Sequence, residues 1–189
     1  MAKKKRAVFL DRDGTIIEGV PYLSKISQIK LNLNAPEGIK LFNEKSYYVI
    51  IITNQSGVAR GIFNEDTLGK VNMELKNLLL ERGARIDDIF FCPHMPEAEI
   101  TDGSMPCECR KPKPKMILDA AERYNINLNE SFMVGDTPGD INAGKNAGCM
   151  TMLIDKDPDY YDYKRDLDKV KPDYIVKDLI DVANIISNK

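Results

Sequence analysis

Residues 7–17 read AVFLDRDGTII. Four apolar residues, Ala7 to Leu10, stop abruptly at Asp11, and Asp13 follows two places on, with Gly14 beside it. A short apolar run bounded by polar residues and glycine reads as a strand buried on both faces of a parallel sheet. Ligands of open α/β sheets sit just beyond the carboxyl ends of such strands. Two carboxylates there offer Asp11 as a nucleophile and Asp13 as an acid/base group. Read alone, Asp13-Gly14 is also an ordinary chain reversal.

Outward from this run, apolar and helical patterns alternate. The spacing predicts strands at 7–10, 48–52, 86–91, 131–134, 150–154 and 174–176. It predicts helices at 36–45, 65–82, 115–124, 139–147 and 178–187. In the second helix Leu68, Val71, Leu75, Leu78 and Leu79 recur at helical spacing. This order implies an α/β fold, a doubly wound parallel sheet covered on both faces, in a single domain spanning 1–189. Two segments break the alternation, 15–34 and 92–114. The second holds five prolines and three of the four cysteines. Both read as functional loops carried by a rigid scaffold.

Bulk properties narrow the function by exclusion. The 189 residues carry a formal charge of −2, so nothing global calls for a nucleic-acid or membrane partner. The basic run at residues 3–6 is short and abuts the first strand, which suits a solvated terminus. No apolar stretch is long enough for a membrane span. Asp11 interrupts the only N-terminal apolar run after four residues, so no secretory core is present. These features predict a cytoplasmic protein whose thiols stay reduced and serve as ligands rather than disulfides.

The thiols are concentrated. Cys92-Pro-His94 is followed by Cys107-Glu-Cys109, which gathers three cysteines and the only histidine. Three thiolates and one imidazole form a closed tetrahedral shell, the structural type of zinc site. The loop at about 92–109 has little apolar material, and a metal can replace the core it lacks. Cys149, beside Gly148, reads as a small buried residue.

Other strand ends carry polar groups too. Thr53-Asn54-Gln55-Ser56-Gly57 offers hydroxyl, amide and backbone N–H groups suited to phosphate oxygens, or else a plain polar turn. Arg110-Lys111 supplies two cations directly after the cysteine cluster, for phosphate or for solvent. Asp136 is placed like a hard oxygen ligand for Mg²⁺. Asp140 either orients the site from behind or caps the next helix.

Taken together, DRDGT (11–15), the Thr of TNQSG (53–57), Lys111 and GDTPGD (135–140) resemble, in order, motifs I to IV of the haloacid dehalogenase (HAD) superfamily of phosphatases. The zinc-type loop followed by RKPKP (110–114) resembles the small bacterial heptose bisphosphate phosphatases and the related histidinol-phosphate phosphatases. The likeness runs from about Val8 to Gly148. It implies a HAD-like Rossmannoid fold without a large cap domain, the loops at 15–34 and 92–114 covering the substrate. It also implies phosphate-ester hydrolysis through an aspartyl phosphate on Asp11, with Asp13 as acid then base. Mg²⁺ would be held by Asp11, the Asp13 backbone carbonyl and Asp136. Thr53 and Lys111 would hold the transferring oxygens. Substrate contacts would come from Asn54, Gln55, Ser56 and Arg110, and from Tyr22, which either faces a sugar or packs.

The implied substrate is a small phosphorylated metabolite, foremost D-glycero-D-manno-heptose 1,7-bisphosphate, handled by a monomer without nucleic-acid or membrane partners. Histidinol phosphate is the alternative substrate, and a non-catalytic zinc-loop interaction module is the alternative role. Many heptose members carry Lys after the motif IV Asp, where this chain has Thr137.

Overall fold

Six apolar runs pair into one sheet. The computed structural model describes residues 4–100, 105–155 and 170–188. Its strands are β1 (Ala7–Leu10), β2 (Tyr48–Asn54), β3 (Asp88–Cys92), β4 (Phe132–Gly135), β5 (Met150–Ile154) and β6 (Tyr174–Val176). They lie in the order β3-β2-β1-β4-β5-β6, and every pairing is parallel. The chain steps outward from β1 to β3 and then returns to the other side of β1. That reversal opens a crevice at the carboxyl ends of the central strands. Leu10 is in register with both Ile51 of β2 and Val134 of β4. The residues that follow these positions therefore converge on one spot.

Side chains alternate across the sheet, and both faces are covered. Val8, Leu10, Val49, Ile51 and Val134 pack on one face against α1 (Ala35–Glu44), α2 (Glu65–Leu80) and α5 (Leu179–Ser187). Ala7, Phe9, Ile50, Ile52 and Met133 pack on the other against α3 (Lys115–Tyr124) and α4 (Pro138–Ala147). The doubly wound reading is therefore correct. Each large aliphatic side chain buried this way contributes about 1.5–3 kcal/mol. Among the described residues no helix is long and apolar enough to cross a membrane.

Element boundaries depart from the periodicity where local hydrogen bonds redirect the backbone. β3 begins at Asp88 rather than 86. The Asp87 carboxylate accepts from Val49 N, and Asp87 N donates to Val49 O, both at 2.8 Å, in place of regular ladder pairing. α2 stops at Leu80 rather than 82, because Arg82 N turns back to Leu79 O and Gly83 takes φ +77°.

Among the described residues, the segments at 15–34 and 93–114 hold short 3₁₀ turns, Ile26–Gln28 and Glu97–Glu99, and isolated bridges join Ile17 to Asp13 and to Leu31. The first is pinned by Asn32, whose amide donates to the carbonyls of Gly14, Thr15 and Ile17 at 3.0, 2.9 and 3.2 Å. Residues 101–104 of the second segment, and Lys3 of the N-terminal basic run, lie outside the described residues.

Candidate active site

Asp11 leaves β1 with its N–H still bonded to Val134 O at 2.9 Å, which aims its carboxylate into the crevice. The buried Lys111 meets it there, Nζ to Oδ1 at 2.7 Å. The same ammonium donates to Ile52 O at 2.8 Å and stands 2.5 Å from Asp140 Oδ1. Asp140 also closes the start of α4, its Oδ2 accepting from Thr137 N at 3.0 Å and Thr137 Oγ1 at 2.7 Å. Asp140 therefore caps α4 and touches Lys111 at once. Thr137 spends its hydroxyl inside this capping box.

Burial pushes the Lys111 ammonium down, but Asp11 and Asp140 outweigh it, and its pKa ends well above the ordinary lysine value. Burial lifts the Asp11 carboxyl well above its usual range. Lys111 pulls it down, while Asp140, Asp136 and Asp13 add to the rise.

Asp136 follows β4 and is 1% exposed. Carboxylate oxygens of Asp11, Asp136 and Asp140 lie within 4.8 Å of one another. Lys111 meets two of these carboxylates, those of Asp11 and Asp140. A buried cluster of three carboxyl groups offers the hard oxygen donors that suit a divalent cation such as Mg²⁺. The backbone fits as well. Gly14 takes φ +85°, and a Cβ there would fall 2.0 Å from Asp136 Oδ2, so only glycine lets the turn lie against this carboxylate.

Asp13 stands in a different setting. Its side chain is 28% exposed, and its Oδ2 accepts from Arg12 Nε at 3.0 Å and Gln55 Nε2 at 2.8 Å. Gln55 Nε2 also donates to Thr53 Oγ1 at 2.8 Å. Asn54 exchanges two bonds with the Lys111 backbone, at 3.1 and 3.2 Å, and so fixes where that lysine starts. Two of the three candidate substrate contacts at the end of β2 thus turn their amides on catalytic candidates. A cavity of about 160 Å³ lies beside Asp13 and is lined in part by Tyr22, Asn54, Gln55 and Ser56. Tyr22 holds φ +52°, an uncommon conformation for a bulky residue, and lies 5.7 Å from the Arg60 guanidinium. Arg110 lines a second cavity of about 340 Å³ with Lys111, Met95 and Glu97, and donates to His94 O at 3.0 Å.

The four thiol and imidazole candidates meet. Sγ of Cys92 lies 3.5 Å from His94 Nδ1, 3.6 Å from Cys107 Sγ and 3.0 Å from Cys109 Sγ, and His94 Nδ1 lies 3.3 Å from Cys109 Sγ. Four ligands at about 2.0–2.3 Å from one Zn²⁺ stand roughly 3.3–3.8 Å apart, so the shell fits that ion with slight contraction. All four cysteines are free thiols. Cys149 is buried, and its burial pushes the thiol up to about 12.

Sequence reasoning missed Arg12 and Asn72. Arg12 is 1% exposed, and its Nη1 donates to Asn72 Oδ1 of α2 at 2.8 Å. A signal existed. Asn72 falls on the same helical stripe as Leu68, Leu75 and Leu79, where a polar residue needs a buried partner.

The HAD-hydrolase-like family model matches residues 108–182. The D-glycero-α-D-manno-heptose-1,7-bisphosphate 7-phosphatase of Photorhabdus laumondii is 42% identical over 153 residues, 81% of this chain and 84% of that protein. The β-anomer 7-phosphatase of Pasteurella multocida is 35% identical over 96% of this chain and 97% of its own. The crystal structure of D,D-heptose 1,7-bisphosphate phosphatase from B. bronchiseptica, complexed with magnesium and phosphate, superposes with a TM-score of 0.81 at 30% identity. The match covers 97% of this chain and 98% of that one. The chain belongs to the heptose bisphosphate phosphatase family of the HAD superfamily.

Proposed function

We propose that this chain is a Mg²⁺-dependent phosphatase that removes the C7 phosphate of D-glycero-D-manno-heptose 1,7-bisphosphate, acting as a single-domain cytoplasmic monomer. One observation carries the reaction type. β1 and its turn deliver two carboxylates into unlike surroundings, Asp11 buried on Lys111 and Asp13 beside an open cavity with Arg12 and Gln55. Two carboxylates held apart in this way can serve as nucleophile and acid/base. The relatives' names supply the substrate, and they include both anomers.

The Asp11 carboxylate attacks phosphorus in line, forming its O–P bond as the bond to the sugar C7 oxygen breaks. Asp13 gives its proton to the departing alkoxide. It then takes one from the water that attacks the aspartyl phosphate and releases inorganic phosphate. Lys111 and Thr53 hold the transferring oxygens, and Asn54 keeps Lys111 in reach. Asp11, the Asp13 carbonyl and Asp136 would hold Mg²⁺, which when bound offsets repulsion between carboxylate and phosphate. Cys92, His94, Cys107 and Cys109 would hold a structural Zn²⁺, fixing the loop that carries Arg110 toward the sugar end of the substrate. Tyr22 and Ser56 border the cavity where the sugar enters.

The test is a phosphate-release assay with Mg²⁺ on both heptose bisphosphate anomers and on histidinol phosphate. The heptose compounds should show the higher kcat/KM, and Asp11→Asn should abolish turnover. Faster hydrolysis of histidinol phosphate would transfer the assignment to the alternative substrate. Wild-type turnover by Asp11→Asn would remove the covalent route.

A further inference from the structure

Arg12 is a buried cation with no place in the chemistry above. Its side chain is 1% exposed, a costly location for a guanidinium unless its donors are all used. They are directed at two residues. Nη1 donates to Asn72 Oδ1 on α2 at 2.8 Å, and α2 is packed in the core. The other edge of the fork faces Asp13, with Nε to Oδ2 at 3.0 Å and Nη2 to Oδ1 at 3.2 Å. Nη2 also lies 3.0 Å from Oδ2, and Gln55 Nε2 reaches the same oxygen at 2.8 Å. Oδ2 therefore accepts two hydrogen bonds, and Oδ1 accepts one, the longest of the three.

We infer that Arg12, anchored by Asn72 and seconded by Gln55, is the positioning residue that fixes the Asp13 carboxyl with Oδ1 as the oxygen that exchanges the proton with the substrate. The inference rests on the acid/base reading of Asp13. A proton on Oδ2 would point at N–H hydrogens from both Arg12 and Gln55, whereas Oδ1 has a lone pair to spare. A planar guanidinium has the rigid two-point geometry this needs, and a lysine has not. The arrangement ties the acid/base group to the helical layer through α2 rather than leaving it on a mobile turn.

Leaving-group chemistry separates positioning from mere structural support. A sugar alkoxide departs only with a proton. A p-nitrophenolate departs as a stable anion and needs none, although the same Asp11 attack removes the phosphoryl group. The ratio of kcat/KM for heptose 1,7-bisphosphate to that for p-nitrophenyl phosphate isolates help given to the leaving group, because kcat/KM stops at phosphoryl transfer to Asp11. For Arg12→Met we expect kcat/KM on the bisphosphate to fall by about 10²-fold, the scale of a misplaced catalytic group, with p-nitrophenyl phosphate little changed. Asp13→Asn, measured beside it, should show the same selectivity with a loss of about 10²–10⁴-fold.

Selectivity in Asp13→Asn together with equal loss on both substrates, or no loss, in Arg12→Met would overturn the inference while leaving the acid/base reading intact. No selectivity in Asp13→Asn would remove that reading and the inference with it. Arg12→Lys keeps the charge without the fork, and recovery of the wild-type ratio there would show that charge suffices, against positioning. Should Arg12→Met not fold, Asn72→Ala decides. It releases the anchor and leaves Arg12 in place, so a smaller selective loss supports the inference and an unchanged ratio overturns it.

Discussion

A Cβ on Gly14 would fall 2.0 Å from Oδ2 of Asp136. The turn after β1 and the carboxylate after β4 are therefore in direct contact, and neither can be placed without the other. Gly14→Ala should displace Asp136 and also impose about 1–2 kcal/mol of backbone strain at φ +85°. The expected result is a higher Mg²⁺ concentration for half-maximal activity together with a lower kcat. An unaltered Mg²⁺ titration in a folded variant would show that Asp136 needs no fixed placement to serve the reaction.

Lys111 holds Asp11 at 2.7 Å and Asp140 at 2.5 Å. Lys111→Met keeps the length of the side chain and removes the charge. Breaking a buried ion pair by removing one partner costs about 3–5 kcal/mol, which urea unfolding will read. Loss of a donor to the transferring oxygens should lower kcat by about 10²–10³-fold. Saturating Mg²⁺ should return part of the stability, because Asp11 and Asp140 lose the ammonium they share, but should not restore the rate. A fully active variant would place Lys111 outside the chemistry.

The strands and their polar ends were legible because each carries a local signal, an apolar run that stops at Asp11, Thr53 or Asp136. The cysteine cluster was legible by concentration alone. What local patterns do not carry is the connection between distant positions. Nothing near Asn54 announces that its amide is spent on the Lys111 backbone, 57 residues away. Nothing near Arg12 announces Asn72, although the polar interruption of the α2 stripe marked that residue as needing a partner. Asp140 is the intermediate case. Its capping role follows from Thr-x-x-Asp spacing, while its contact with Lys111 depends on how α4 sits against β2.

The Cys92, His94, Cys107 and Cys109 shell predicts one equivalent of tightly held Zn²⁺ in protein purified without added metal. Lys111 and Arg110 directly follow the last ligand, and Arg110 is bonded to His94 O. Cys107→Ser should therefore loosen the loop and lower kcat/KM on the sugar substrate, with excess Mg²⁺ giving no rescue. Metal analysis and limited proteolysis check this. A stoichiometric zinc content in Cys107→Ser would remove that residue from the shell, and a disulfide within the set in reduced native protein would refute the site.

Asp178 links the start of α5 to the start of α1. Its Oδ1 accepts from Ile180 N at 2.9 Å and Asp181 N at 3.0 Å, and its Oδ2 accepts from Asn34 Nδ2 at 2.7 Å. Burial raises this carboxyl, but the donors of Asn34, Asp181 and Ile180, with Lys177 nearby, outweigh it and leave its pKa below the ordinary value. A pKa lower in the folded than in the unfolded chain means that the unfolded chain binds more protons between the two. The stabilisation is then fully present above the unfolded value, about 3.9, and fades as the pH falls through the folded one. Asp178→Ala should cost about 1 kcal/mol at neutral pH, the usual worth of an N-cap. The gap between wild type and variant should close as the pH is lowered past the folded pKa. Asp178→Asn keeps the cap and cannot titrate, so its stability should lack this acid-dependent part. Urea melts of the three proteins across the acid range decide the point. A gap between wild type and Asp178→Ala that stays constant into strong acid would show that the carboxylate charge contributes nothing to the junction.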